Sequence, residues 1–245
     1  MIVAEYPLVS IIIVTYNAEN YLKACLCSIA AQTYPALEVV IVDGASTDST
    51  IEIICDFPEL VSFWISEPDE GIYDAMNKGL KHIKGEWVYF LGADDELLPG
   101  FSALLFYGLE DKRNIYYGHV LINGEKDKGL LSKYDFTKMN ICQQAIVYPL
   151  DVFKKYNYDT KYSIFADYYL NILCLTDGIF RFQFCNFVVA KFNHTGISSI
   201  HIDRVFKHDE SGIILRRFGF FIWFRYQFRK MKKFFFSQKE TLLEK

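Results

Sequence analysis

No two cysteines in this chain are spaced Cys-x-x-Cys, and the six it has (Cys25, Cys27, Cys55, Cys142, Cys174, Cys185) form no cluster with histidine at structural-zinc spacing. A zinc module is excluded on that ground, and small apolar core residues in a reducing compartment remain. No segment offers an uninterrupted apolar run of about 20 residues, so no membrane span is expected. The apolar run at residues 8–14 is short, lacks a basic leader and reads as a strand rather than a signal peptide. Internal repeats and low-complexity linkers are absent as well. A cytoplasmic protein is the expectation.

What is present is a large apolar stock. Of 245 residues, 51% are hydrophobic and 17% aromatic, enough to bury one sizeable core without a second domain. The net charge is only −4, yet it is unevenly placed. Residues 211–245 hold nine of the 26 Lys+Arg and two of the 30 Asp+Glu, so this tail carries +7 and the rest of the chain −11. An acidic body argues against general nucleic-acid binding and makes the basic tail a separate question.

The first half alternates strand and helix. Residues 8–14 are a β-branched run, as a strand buried on both faces requires. Apolar positions Tyr21, Leu22, Cys25, Ser28 and Ile29 follow at helical spacing and stop at Pro35. Residues 37–42 predict a second buried strand, "DGASTDST" a turn rich in capping residues, and 51–57 a second helix. A short strand over 61–66 leads to a helix with Ile72, Ala75, Met76, Gly79, Leu80 and Ile83 on one face, then a strand over 87–91. This order predicts an α/β fold: a doubly wound, mostly parallel sheet with right-handed crossovers. The second half differs. Residues 115–122 predict a strand entering a hairpin at Asn123-Gly124, with a helix over 162–174 and a strand over 180–189 forming a smaller antiparallel portion.

In such sheets ligands bind at the carboxyl ends of the strands. Polar residues collect there: Thr15-Tyr16-Asn17, then Asp43, then Glu67 and Asp69, then Asp94-Asp95. Plainer roles exist for each. Asp43 could be a turn residue capping a helix, Asp48 reads as such a cap, and Asp94-Asp95 could be a solvated turn. The last pair, however, closes one of the most apolar runs of the chain. Adjacent carboxylates repel, burial makes that worse, and a cation, proton or donor must compensate.

The stretches "VSIIIVTYNAENYLKACLCSI", "VVIVDGASTDST", "EPDEGIYDAMNKGL" and "GEWVYFLGADD" resemble, in this order, the successive motifs of the inverting family 2 glycosyltransferases with the GT-A fold. The similarity covers roughly residues 8–200 and points towards enzymes of bacterial surface-polysaccharide synthesis. It implies a hexosyl- or N-acetylhexosaminyltransferase that moves a sugar from a nucleotide diphosphate sugar, a UDP-sugar in the first instance, to a saccharide or lipid-linked acceptor. It also implies a divalent cation, Mn²⁺ or Mg²⁺, held by the last carboxylate of the acidic pair, in keeping with the preference of hard cations for oxygen ligands and phosphates.

Carried over residue by residue, the resemblance makes Asp95 the metal ligand and Asp94 a partner of the ribose or of a metal-bound water. Thr15, Tyr16 and Asn17, with Glu19, would line the nucleotide pocket. Asp43 would accept a hydrogen bond from the base, which uracil N3–H can offer. Asp69, Asp74 and Asn77 would lie in the stretch under the donor, although Asp74 and Asn77 equally suit solvated helix positions. "SIFADYYLNILC" implies Asp167 as the base that deprotonates the acceptor hydroxyl; its plainer role is a charge at a helix N-terminus. "KFNHTGISS" resembles the loop that closes over the diphosphate, making His194 a metal or phosphate contact, or else an ordinary surface or core histidine. Gln143-Gln144 stand where relatives often carry His-Gln, so that histidine has no counterpart here, though glutamine can still donate and accept.

On this reading residues 1–205 form the GT-A domain, 1–100 its donor half and 101–205 its acceptor half, with 206–245 a basic, aromatic tail. Over residues 213–236 the tail predicts an amphipathic helix. At 100° per residue Phe220, Trp223, Phe224, Phe228, Met231, Phe234 and Phe235 share one arc, and Arg225, Arg229, Lys230, Lys232 and Lys233 another. That pattern suits an in-plane helix on an anionic membrane surface, at the inner face of the cell membrane. The alternative is packing on its own domain or on a twin subunit in a homodimer. Rival functions fit less well. A nucleotidyltransferase would carry a basic, glycine-rich loop where "TYNAENY" stands, and a phosphoryl-receiver switch would place its acidic pair after the first strand. An inactive transferase serving as a nucleotide-sugar-binding module has the same motifs, and turnover separates it from an enzyme.

Overall fold

The computed structural model describes residues 6–193 and 203–243, with side chains up to residue 232. Its first half is β1 (Val9–Thr15), α1 (Leu22–Ala30), β2 (Leu37–Asp43), α2 (Thr50–Cys55), β3 (Val61–Ser66), α3 (Ile72–Gly79) and β4 (Trp87–Gly92). Next come β5 (Glu96–Leu97), α4 (Pro99–Gly108), β6 (Asn114–Ile122), β7 (Glu125–Lys126), β8 (Ile146–Pro149), α5 (Leu150–Lys155), α6 (Ala166–Thr176) and β9 (Arg181–Phe192). Two helices follow, α7 (Arg204–Phe218) and α8 (Phe220–Leu243).

One mixed sheet runs β3-β2-β1-β4-β8-β6-β9-β5, with β7 paired to β6. The first four strands are parallel, β8 joins β4 and β6 antiparallel, and β6 and β9 are parallel again. The expected doubly wound sheet with a smaller antiparallel portion is therefore the observed one. β1 and β2 are buried on both faces, as their β-branched runs require, whereas β3 alternates as an edge strand does. At Gly79 a side chain would come within 2.7 Å of Ile12 Cγ2, so the glycine lets α3 lie close against β1. The helix ends at Gly79, before Leu80 and Ile83, which the sequence pattern places on the same helix.

Register fixes the site edge. Thr15 pairs with Asp43, Asp43 with Ser66, and Val14 with Gly92, so the carboxyl ends of the four parallel strands lie side by side.

The tail departs from expectation. α7 is capped by Asp203, whose side chain accepts from the Phe206 N–H at 2.9 Å, and it buries Phe206, Ile213, Ile214 and Phe218. Its aromatic partners are Tyr162, Phe165 and Tyr168 around α6. The boundary drawn at residue 205 thus falls inside a packed helix that belongs to the body's core. Gly219, at φ 82°, breaks the chain between α7 and α8. α8 docks by Tyr226, which is fully buried, and by polar side chains. Arg225 stacks 3.8 Å from the Tyr134 ring centroid, Arg229 donates to the Thr137 carbonyl at 2.8 Å, and Lys230 pairs with Glu210 at 3.0 Å. Three of the basic residues expected to face lipid, Arg225, Arg229 and Lys230, are therefore engaged with the body, and the side chains of Lys233, Phe234 and Phe235 lie outside the described residues. Phe220, Phe224, Phe228 and Met231 are more than half exposed. Among the described residues no helix is long and apolar enough to cross a membrane.

Candidate active site

The β1–α1 and β2–α2 loops are laced together at the edge of the sheet. Asn17, at φ 49°, accepts from Thr47 N–H at 2.9 Å and donates its own N–H to Ser46 Oγ at 2.8 Å. Glu19 accepts from Ser49 N–H at 3.0 Å, and its backbone N–H reaches Asp48 at 3.1 Å. Asp48 takes the Thr50 N–H at 3.0 Å, one of the unpaired donors at the start of α2, in line with the capping role expected of it. The side chains of Asn17 and Glu19 thus shape the loop that a nucleotide would meet. Asn17 and Glu19 are exposed, as is Tyr16, with 67% of its surface accessible.

Asp43 lies deeper than the sequence suggested. It is fully buried, and four donors converge on its carboxylate. Oδ1 accepts from Thr15 Oγ1 at 2.9 Å and from Ser46 Oγ; Oδ2 accepts from Ser46 N–H at 2.8 Å and Ser66 Oγ at 2.6 Å. A carboxylate has about four acceptor positions, and all are taken. Burial alone would raise this carboxyl, but the hydrogen bonds from Ser46, Ser66 and Thr15 outweigh it and hold it below the usual range. The expected direct bond to a base is not open in this arrangement, because it requires Ser46 or Ser66 to turn away first.

Asp69 does reach the same corner. A side chain at Gly44 would come within 2.7 Å of Asp69 Oδ2 and 3.4 Å of Tyr16 Cδ2, so the ends of β1, β2 and β3 meet around that glycine. Asp74 and Asn77 are committed otherwise. Asp74 accepts from Glu70 N–H at 3.2 Å and pairs with Lys78 at 3.3 Å. Asn77 clasps the Tyr158 main chain, accepting its N–H at 3.0 Å and donating to its carbonyl at 2.9 Å. Asp74 thus pairs along α3 and the residues just before it, while Asn77 ties the helix to the segment before α6.

The acidic pair divides its labour. Asp94 is half-buried and Asp95 is 1% exposed. Asp95 Oδ1 accepts the Asn193 N–H at 2.8 Å, whereas Oδ2 is buried with no partner among the described residues that meets hydrogen-bond geometry. Burial, and less strongly the neighbouring Asp94 charge, push the Asp95 carboxyl up to about 7, while nearby polar groups including Gln144 oppose that rise. Burial also raises Asp94. A side chain at Gly92 would collide with Asp95 Oδ2, so the glycine keeps space beside the orphaned oxygen. An unpaired buried carboxylate oxygen with room beside it fits a hard divalent cation that draws its other ligands from phosphates and water. Among the described residues no three His, Cys, Asp or Glu side chains converge into a self-sufficient metal cage. His194 lies outside the described residues.

Asp167 sits in the first turn of α6, buried, with its carboxyl pushed up to about 6 by burial against the hydrogen bonds it receives. Oδ1 accepts from Tyr168 N–H at 2.7 Å and from Tyr73 OH at 2.9 Å; Oδ2 accepts from Asn140 Nδ2 at 2.6 Å. Cys142 ties this group to the acidic pair: its thiol is pushed up chiefly by burial, and then by the charges of Asp95 and Asp167. One side chain lies within electrostatic reach of both carboxylates.

Ser46, Ser66, Tyr73, Asn140 and Asn193 escaped the sequence reading. Of these, only Ser46 lay in a stretch marked for its capping residues.

A mixed sheet of this order, with carboxylates at the ends of its parallel strands and a buried aspartate opening a helix behind them, defines a GT-A type transferase. Residues 10–183 match the family model described as "Glycosyl transferase family 2", and this chain belongs to that family of glycosyltransferases. It is 37% identical over 211 residues to the "PGL/p-HBAD biosynthesis glycosyltransferase" of Mycobacterium tuberculosis, covering 82% of each chain. A fragment of Staphylococcus aureus TarS solved in complex with UDP-GlcNAc superposes with a TM-score of 0.65 at 18% identity, covering 86% of this chain and 67% of the fragment. The mannosyltransferase PcManGT of Pyrobaculum calidifontis, solved with GDP-Man and Mn²⁺, gives 0.61 at 20% identity, covering 88% of this chain and 64% of that one. At those identities the two structures speak for the fold alone.

Proposed function

We propose that this chain is a metal-dependent inverting glycosyltransferase that moves a sugar from a UDP-sugar to a saccharide or lipid-linked acceptor in cell-surface polysaccharide synthesis. The observation that carries the reading is Asp95 Oδ2, a buried carboxylate oxygen at the carboxyl edge of the parallel strands that no group among the described residues meets in hydrogen-bond geometry. Asp95 would hold Mn²⁺ or Mg²⁺, with Asp94 placed for the ribose or a metal-bound water. Bound there with the donor, the cation would offset the carboxylates' repulsion and stabilise the departing diphosphate. The exposed Tyr16 ring offers a face to the base, and Thr15, Asn17, Glu19 and Asp69 shape the pocket around it.

Asp167 is the base. The acceptor oxygen attacks the anomeric carbon as the bond to the diphosphate breaks on the opposite face, and the hydroxyl proton passes to the Asp167 carboxylate. Burial favours this assignment, since a carboxyl raised to about 6 is a better proton acceptor than an exposed one and is still largely ionised at neutral pH.

α8 would place the enzyme at a lipid surface, near a lipid-linked acceptor. Its outward stripe of Phe220, Phe224, Phe228 and Met231 supports that reading, by apolar insertion more than by attraction of its basic residues.

The test is a panel of nucleotide sugars with and without EDTA. Transfer or slow hydrolysis of one donor, abolished by EDTA and by Asp95→Ala, is the expected result. Undiminished turnover in EDTA overturns the metal assignment, and donor binding without any turnover makes the chain a binding module.

A further inference from the structure

Asp167 ends a chain of two amides, the half-buried Asn140 and the buried Asn171. Asn140 Nδ2 donates to Asp167 Oδ2 at 2.6 Å, Asn171 Nδ2 donates to Asn140 Oδ1 at 2.9 Å, and Tyr148 OH donates to Asn171 Oδ1 at 2.8 Å. The components come from three places: Tyr148 from β8, Asn171 from α6 one turn beyond Asp167, and Asn140 from the segment before β8. Tyr148 and Asn171 are fully buried.

Chemistry fixes the direction of this chain. An ionised carboxylate only accepts, so Asn140 must turn its NH₂ towards Asp167 and its carbonyl towards Asn171. Asn171 must then present its own NH₂ to Asn140 and its carbonyl to Tyr148, whose hydroxyl is left to donate. Every dipole points its positive end at the base. In a buried setting such bonds polarise one another, and their orientation costs nothing when charge is present on Asp167. A protonated Asp167 gains less from that direction, since a neutral carboxyl is the weaker acceptor.

The same geometry singles out one oxygen. Each carboxylate oxygen has two acceptor positions. Oδ1 has the Tyr168 N–H and the Tyr73 hydroxyl, although Tyr73 shares its single proton with the Ile164 carbonyl at 2.6 Å. Among the described residues Oδ2 has only Asn140.

We propose that Tyr148, Asn171 and Asn140 form a directional relay that keeps Asp167 ionised and reserves the open position on Oδ2 for the acceptor's proton. All three are positioning residues acting through Asp167, and the inference rests on the reading of Asp167 as the base. The titratable groups facing Asp167 are Tyr73 on α3, Tyr148 on β8, Tyr158 before α6 and Cys142 before β8, with Tyr168 beside it on α6. Burial raises each of them, so all stay neutral where Asp167 titrates. Removing a donor from the relay weakens the charged form of Asp167 more than the neutral one, because bonds to a charged acceptor are the stronger, and must raise its titration midpoint.

The experiment follows the carboxyl ¹³C resonance of Asp167 through a pH titration of the full chain labelled at aspartate, with Asp167→Asn identifying the signal. Asn171→Leu keeps the volume and cuts the relay; Tyr148→Phe removes only its far donor. Asn171→Leu is expected to raise the midpoint by about 0.5–1 pH unit, and Tyr148→Phe by less, as the loss of about one hydrogen bond's worth of preference for the charged form implies. The acid limb of the turnover rate moves by the same amount, with UDP affinity unchanged. Midpoints equal to wild type in both variants overturn the relay, and if Asn171→Leu fails to fold, an unmoved midpoint in Tyr148→Phe does so alone. If the midpoints move but Asp167→Asn turns over normally, the relay stands and the assignment of the base falls.

Discussion

Asp43→Ala separates two accounts of the residue that ends β2. If Asp43 faces the nucleotide, the variant loses affinity and little else. The structure surrounds it with four donors instead. Bonds to a charged acceptor contribute about 1.5–3 kcal/mol each, but three of the donors are hydroxyls that can rotate to other partners, and the buried charge no longer costs desolvation, leaving a net loss of about 3–5 kcal/mol. For a chain of this length that lowers Tm by roughly 6–20 °C. The assay is urea unfolding of wild type and variant, alongside calorimetric titration with UDP. The difference in stability also depends on pH in a defined direction. Because the folded carboxyl lies below its usual range, its contribution is complete above about pH 4, the unfolded value, and fades as pH falls through the folded one. Unfolding midpoints that coincide at pH 7, with UDP affinity lost, refute the argument from saturated acceptors and restore Asp43 to the base pocket.

The remaining predictions concern the acidic pair, the base and the tail. Asp95, raised to about 7, should cost metal-free protein about 4 kcal/mol as pH climbs from about 4 through 7; Asp95→Asn should remove that loss in EDTA while abolishing turnover, and equal slopes of stability against pH in both proteins contradict it. Asp167→Asn should lower turnover by about 10²–10⁴-fold with UDP affinity kept, measured by single-turnover kinetics. Replacing Phe220, Phe224 and Phe228 together by serine should release the protein from vesicles, each ring contributing about 1–2 kcal/mol, whereas salt should release it only weakly. Release by salt alone, or a stable dimer that the triple variant dissolves, assigns the stripe to electrostatic attachment or to a twin subunit.

The legible parts of this molecule are those written in local pattern. β1 to β4 fall within a residue of their expected bounds because a buried parallel strand must be a short β-branched run, and "VSIIIVT" and "LEVVIVD" have no other use. β8 went unseen. It is four residues long and exists because it slots antiparallel between β4 and β6, a pairing that no local period records. Side-chain roles divide the same way. Asp94-Asp95 were legible because adjacent carboxylates behind an apolar strand pose a problem in the sequence itself. Tyr73 was not, since the helical pattern put Ile72 on the inner face, whereas Ile72 is exposed and Tyr73 turns inward to Asp167.

α8 shows where such pattern reading stops. The period sets an aromatic arc against a basic one, but a helical wheel has no information about which arc meets the protein. The usual inference puts the apolar arc inside, or against lipid with the cations beside it. Here the choice is set by groups far along the chain: the Tyr134 ring offers Arg225 a face, the Thr137 carbonyl takes Arg229, and Glu210 takes Lys230. Ser211 adds the Trp223 indole at 3.0 Å and the Gln227 amide at 2.7 Å, so Trp223 of the aromatic arc and Gln227, the polar residue lying within that arc, are both used for docking. With those partners satisfied, turning the helix over would strand Glu210, Ser211 and the Thr137 carbonyl against phenyl rings, a desolvation cost that exposed phenylalanines do not incur in the same measure. The outward aromatic stripe is therefore a consequence of the inward polar one, and Phe220, Phe224, Phe228 and Met231 are exposed because the docked face is the polar one.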